Sequence, residues 1–169
     1  MADAEALFAA HQPGLVRYLS RAIGHADTAR DLTQDVFMRV VASDVLPGSD
    51  GERRAWIFRI ARNLAIDHQR RQQVRRAAAA RTPAADVQHA SQDTSIAVNE
   101  ALASLDALDR DVFLMREAAG LSYAEIAAAC DLTIDAVRSR IHRARLQLRD
   151  RLRAPLAAVR ARPLRSRWT

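Results

Sequence analysis

Residues 120–151 read GLSYAEIAAACDLTIDAVRSRIHRARLQLRDR, two short helical patterns joined by a tight turn. Gly120 supplies the left-handed conformation that ends a preceding helix. Ser122 offers an N-cap oxygen and Glu125 stands three residues on, the spacing of a capping box. Ile126 and Ala129 continue an apolar face. Asp131 and Leu132 fill the turn, and Thr133 is placed to cap the next helix. In that second helix Val137, Ile141, Ala144 and Leu148 recur at steps of four, three and four, which predicts a buried stripe. Arg138, Ser139, His142 and Arg143 fall on a different face, where an arginine reaches a guanine edge or a phosphate. A solvated face on an ordinary bundle helix would also carry arginines, but here caps, turn and basic face coincide. The pattern is that of a helix-turn-helix, and DNA is the partner it implies. Neither glycine nor proline interrupts 131–154, and Pro155 is expected to end the second helix.

The rest of the chain supports an all-α reading. It has 169 residues, room for one ordinary domain or two small ones. Apolar residues make up 49% but aromatics only 5%, so its cores are built from Ala, Leu, Val and Ile. Five glycines among many alanines favour helices, and no β alternation or hairpin signal stands out.

The net charge of +6 conceals a sharper pattern. Residues 51–81 carry nine arginines against two acids, and 137–169 carry eleven against one. Residues 1–50 carry four against seven, and 82–136 two against ten. Two basic blocks in acidic surroundings suit a polyanion touched at two places. Cys130 is the sole cysteine, so there is no internal disulfide, and it belongs at the turn as a small buried thiol. The five histidines show no ligand spacing, so no metal and no cofactor is expected. No signal peptide or membrane span is visible, and a cytoplasmic location is expected.

Residues 77–97 mix Ala, Thr, Pro, Ser and Gln with little periodicity and read as a linker, flexible between two helical domains. Fully extended, about 21 residues reach ~70 Å, some two turns of B-DNA at about 34 Å each. Ahead of the linker, the pattern predicts helices near 4–10, 14–23, 28–42 and 54–76, with Pro13 separating the first two and a loop at 43–53. In the third, Leu32, Val36 and Val40 form the core side, while Asp27, Asp31 and Asp35 run parallel to them with Gln34 beside. Acids near a helix start favour the dipole; a docking face for a basic protein partner is the alternative reading. In the fourth, Ile57, Ile60, Ala61 and Leu64 face the core. Arg59, Arg62, Asn63, Ile66 and Arg70 lie largely opposite, and Arg71, Arg75 and Arg76 extend the charge. Trp56 and Phe58 interleave with the arginines, either as core aromatics or as platforms for unpaired bases.

Three segments carry a family resemblance. ARDLTQDVFMRV (29–40), RRAWIFRIARNLAIDHQRR (53–71) and LDALDRDVFLMREAAGLSYAEIAAACDLTIDAVRSRIHRARLQL (105–148) resemble, in that order, the core-binding, −10-reading and −35-reading parts of bacterial sigma factors of the extracytoplasmic-function (ECF) group. The resemblance spans Leu7 to Leu152. It implies a region 2-like domain at 4–76, the linker at 77–97 and a region 4-like domain at 98–154; the basic tail at 155–169 is by its composition expected to be disordered. It implies that Asp31, Gln34, Asp35 and Phe37 dock on core RNA polymerase. Trp56, Arg59, Arg62, Asn63, Asp67 and Arg70 would line the −10 element, with loop 43–53 receiving a flipped base. Arg138, Ser139, His142 and Arg143 would enter the −35 major groove. An anti-sigma factor is the further partner it implies. Two departures stand out. Asp135 and Ala136 replace a frequent Gly-Thr before the recognition-helix valine, and loop 43–53 matches no family sequence.

Two other functions fit parts of the chain. A stand-alone helix-turn-helix regulator would need no acidic docking helix and no single-strand reader. An enzyme acting on nucleic acid fares worst, since no phosphate loop, metal cluster or nucleophile motif is present. The clustered Asp106, Asp109 and Asp111 sit at an expected helix start, where acids are common.

Overall fold

The computed structural model describes the backbone of residues 2–43, 46–79 and 93–160, with side-chain surroundings for 5–43, 46–79 and 96–153. Among them there is no strand. Three helices, α1 (Ala2–Ile23), α2 (Ala26–Val41) and α3 (Asp50–Ala79), form the first group. Four more, α4 (Asp93–Ala103), α5 (Ala107–Glu117), α6 (Tyr123–Cys130) and α7 (Ile134–Arg160), form the second.

Helix α1 is continuous where two helices were expected, with Pro13 inside it. Proline removes one backbone donor and crowds the preceding turn, yet apolar residues on both sides hold the helix in line. Phe8 packs against Phe37 of α2 with ring centroids 4.6 Å apart and the planes tilted by 46°, and Leu15, Tyr18 and Leu19 beyond the proline are fully buried. Gly24, at φ +76°, turns the chain into α2.

Helix α3 begins at Asp50, so the expected loop 43–53 is shorter by a turn. Its start is set by a capping box at Ser49 and Glu52: Glu52 accepts from the Ser49 amide at 2.9 Å, and Ser49 Oγ accepts from the Glu52 amide at 3.3 Å. Ile57, Phe58, Ala61 and Leu64 are buried. Phe58 is thus a core residue, its ring edge-on to Tyr18 at 5.9 Å. Trp56 and Ile60 are only partly buried.

The linker region is helical at both ends, because α3 continues to Ala79 and α4 starts at Asp93. Residues 80–92 lie outside the described residues. At the far end α7 runs through Pro155 to Arg160, against the expected stop. A single proline need not end a helix when strong helix formers follow, as Leu156, Ala157 and Ala158 do. Part of the expected disordered tail is therefore helical; 161–169 lie outside the described residues.

Candidate nucleic-acid interface

The helix-turn-helix forms from local chemistry. Gly120 sits at φ +71° behind α5, and the Leu121 amide donates back to the Met115 carbonyl at 3.0 Å. Ser122 and Glu125 close the capping box on α6. Asp131 takes the left-handed turn position at φ 54°. Thr133 Oγ1 accepts from the Ala136 amide at 3.2 Å, capping α7. Val137, Ile141, Ala144 and Leu148 are buried. Arg138, Ser139, His142 and Arg143 are exposed together on another face of α7.

Two of these side chains are held in place by neighbouring acids. Arg138 pairs with Asp135 at 3.1 Å, so the acid that replaces the frequent glycine is partly offset by its own helix. Arg143 Nη2 reaches Asp109 Oδ1 at 3.3 Å, and Arg140 reaches the same oxygen at 2.6 Å. Asp109 is buried, and it ties α5 to α7. Asp106 is the N-cap of α5, as its place at a helix start suggests. Asp109 and Asp111, by contrast, are interior acids that grip arginines from other helices.

On α3, Trp56, Arg59, Asn63, Asp67 and Arg70 follow steps of three and four, one continuous stripe. All are exposed except Trp56, which is half-buried. Beside Trp56 lies a cleft of about 290 Å³ lined by Pro47, Gly48, Glu52, Ala55, Trp56, Arg59 and Ala128. Arg62 departs from the expected exposure: it is half-buried and donates from Nε to Asp111 Oδ2 at 3.0 Å. Tyr18 Oη donates to the other oxygen of Asp111 at 3.4 Å. Burial pushes the Asp111 carboxyl above the ordinary carboxylate value, against the opposing pull of Arg62 and Arg110. Burial likewise raises the Cys130 thiol to about 11; its Sγ lies 3.8 Å from Met115 Sδ.

On α2, Asp31, Gln34 and Asp35 are exposed, while Phe37 is half-buried against Phe8. The sequence reading missed Met38, 64% exposed, and Val41, 37% exposed. They continue the Asp31–Gln34/Asp35 face at helical spacing, and an apolar residue outside the core stripe was the signal for them. Also missed were Arg17 and Arg54, whose partners lie 101 and 65 residues away along the chain, respectively. Among the described residues, no group of three His, Cys, Asp or Glu could hold a metal ion, and no helix is long and apolar enough to cross a membrane.

The family models for sigma-70 region 2 and sigma-70 region 4 match residues 7–75 and 95–148. The ECF sigma factor SigE of Mycolicibacterium smegmatis is 37% identical over 152 residues, covering 84% of this chain and 58% of SigE. SigC of Mycobacterium tuberculosis is 33% identical over 135 residues, 77% of this chain and 71% of SigC. Among solved structures, RpoE bound to the anti-sigma factor NepR from Bartonella quintana superposes with a TM-score of 0.69 at 25% identity, over 90% of this chain and 98% of RpoE. CnrH bound to the cytosolic domain of CnrY gives 0.68 at 28% identity, over 89% and 88%. The stand-alone regulator finds no support among these relatives. With both sigma-70 regions matched in order and ECF relatives at this identity and coverage, the chain belongs to the ECF RNA polymerase sigma factors.

Proposed function

We propose that this protein binds core RNA polymerase, directs it to promoters with a −35 and a −10 element, and helps to open the start site. The observation that carries the reading is the exposed face of α7, set by a buried stripe on its other side, together with a second basic helix, α3. Arg138, Ser139, His142 and Arg143 enter the −35 major groove, where an arginine makes two hydrogen bonds to guanine. Trp56, Arg59, Arg62, Asn63, Asp67 and Arg70 line the −10 strand. The cleft at Trp56 is open enough to take an unstacked base, whose extrusion costs a few kcal/mol that stacking and backbone contacts must offset. Residues 4–76 and 98–154 act as the region 2-like and region 4-like domains.

The docking surface for polymerase is the exposed α2 face of Asp31, Gln34 and Asp35, with Met38 and Val41 continuing it. Phe37 contributes by fixing that face against Phe8. The protein acts in the cytoplasm with no catalytic residue of its own, and an anti-sigma factor restrains it, as NepR and CnrY are bound to the solved relatives. Transcription by purified core polymerase on a library of promoter-sized fragments tests this. Transcripts that share two spaced motifs, and that disappear with Asp35→Arg, are expected. Tight duplex capture by the free protein with no transcript would refute it.

A further inference from the structure

A cavity of about 860 Å³ opens beside α3, away from the stripe proposed for the −10 strand. Its α3 wall is Gln69, Gln72, Gln73 and Arg76, at steps of three and four. At about 3.6 residues per turn this row lies ~130° around the helix from Trp56, Arg59, Asn63, Asp67 and Arg70. The end of α1 supplies Arg21, the start of α2 supplies His25 and Thr28, and α5 supplies Arg110. Asn99 and Leu102 of α4 and Leu105 of the turn behind it close the other side. A concave volume of this size is that of a small-molecule site.

Among the described residues three arginines and no acid line this cavity. None of Arg21, Arg76 and Arg110 has a carboxylate of the described residues within ion-pair distance. Arg110 is half-buried: its Nη2 donates to Gln69 Oε1 at 3.2 Å, and its Nε is buried with no acceptor. The neighbouring Asp111 is already held by Arg62. Gln69 belongs to the wall itself, since its amide nitrogen donates to the Ala22 carbonyl at 3.0 Å. At the other edge the N-cap of α2 is His25, whose side chain caps no amide. Asp27 of that first turn is drawn to Arg30 at 2.7 Å. Open amides at a helix start and uncompensated guanidinium groups in a concave place both favour an anion.

We propose that this cavity binds a nucleoside polyphosphate. Its phosphates lie among Arg21, Arg76, Arg110 and the first amides of α2, where guanidinium groups give paired, charge-assisted hydrogen bonds. Its base lies on the apolar wall of Leu102 and Leu105, and Gln72, Gln73 and Asn99 present both donors and acceptors to the base edge. Burial, then Arg71 and Arg75, lowers the His68 imidazole below its ordinary value, so a neutral ring completes that lining at neutral pH. A bare phosphate would need neither the apolar wall nor the amides, and a DNA strand on the −10 stripe runs along another face of α3. The walls come from five helices, so a bound nucleotide stabilises the folded chain. The site stands whether or not the −10 reading of α3 holds.

Calorimetric titration of the full chain with ATP and with GTP, at fixed low salt, tests this. Adenosine and inorganic tripolyphosphate are titrated in parallel. Saturable one-to-one binding of at least one nucleotide is expected, about tenfold or more tighter than either partial ligand. Arg21→Gln and Arg76→Gln alter exposed side chains and should each weaken binding about tenfold, the loss of one charge-assisted bond. Gln73→Glu, also exposed, sets a carboxylate in the cavity and should weaken it at least as much. Arg149→Gln removes one arginine from an exposed site on α7, far from the lining, and should leave nucleotide binding unchanged.

Absence of binding by both nucleotides at millimolar concentration would overturn the proposal. So would tripolyphosphate binding as tightly as the nucleotides, which marks a phosphate site that reads no base. An equal loss in Arg149→Gln would do the same, because binding would then follow net charge alone. Short random single-stranded DNA is the last arm. A nucleotide that stays bound beside the strand is the expected result. Displacement of the nucleotide, with Arg21→Gln and Arg76→Gln weakening the strand equally, would make the cavity a DNA contact and refute the nucleotide site.

Discussion

Asp109→Ala should loosen α7 more than its position in a run of acids suggests. The Asp109 side chain is 7% exposed and holds Arg140 at 2.6 Å and Arg143 at 3.3 Å. Hydrogen bonds to charged groups contribute about 1.5–3 kcal/mol each, and removing one partner of a fully buried pair costs about 3–5 kcal/mol. Here the surviving guanidinia reach water, Arg140 at 26% exposure and Arg143 at 55%. The Arg143 bond therefore adds little, and the loss should be about 2 kcal/mol, close to the Arg140 bond alone. That is about a thirtyfold change in the folding equilibrium. Hydrogen exchange reads it locally: the buried amides of α5 and α7 around Val112, Ile141 and Ala144 should exchange about thirtyfold faster, while α2, which sits on α1 and α3, keeps its rates. Duplex binding should weaken as well, since Arg143 loses the acid that orients it. Exchange in α7 unchanged within a few-fold would refute the reasoning, as would equal acceleration in α2.

Three further outcomes follow from particular residues. Gly120→Ala meets no steric block, with Arg54 Nη2 the nearest atom at 3.9 Å from the added carbon, so only the left-handed conformation resists it; the loss by urea unfolding should be about 1–2 kcal/mol. Asp111→Asn should leave stability at neutral pH unchanged or raised, because burial outweighs the attraction of Arg62. A carboxyl whose folded value is raised favours the native state in its protonated form. The advantage of Asn should therefore shrink as pH falls through that raised value, and urea midpoints at neutral and acidic pH check both statements. Cys130, with its thiol raised to about 11, should resist iodoacetamide at pH 8 in the native protein. It should react as fast as a free peptide cysteine once urea unfolds the chain, which mass spectrometry of the alkylated fraction follows.

What was legible in the sequence was what local spacing dictates. The caps at Ser122 and Thr133, the left-handed Gly120 and the stripe from Val137 to Leu148 all depend on residues within a few positions of one another. The same logic would have found the start of α3, since Ser49 and Glu52 have capping-box spacing, but the glycines and proline around them suggested a loop. Pro13 and Pro155 misled in the same direction, because helix-breaking tendency is a few kcal/mol that burial or neighbouring helix formers can offset. The partners of Arg17, Arg54, Arg59 and Arg62 had no local signal at all. Arg62 meets Asp111 across 49 residues and Arg59 meets Asp131 across 72.

Charge segmentation foretold both halves of that pairing without distinguishing them. Block 51–81, with nine arginines against two acids, was read as facing a polyanion. Segment 82–136, with ten acids against two arginines, is itself an anionic surface, and the fold lays α6 of that segment on α3. A basic helix does not discriminate by net charge between a phosphate backbone and the acidic ends of its own neighbours. Salt separates the two. Phosphate contacts weaken steeply through counterion release, whereas the bonds of Arg17 and Arg54 to the Ala118 and Ala119 carbonyls involve no second full charge and are screened far less. Rising ionic strength should therefore strip DNA from this protein before it breaks these two carbonyl bonds, while the exposed Arg59–Asp131 pair weakens along with the DNA contacts.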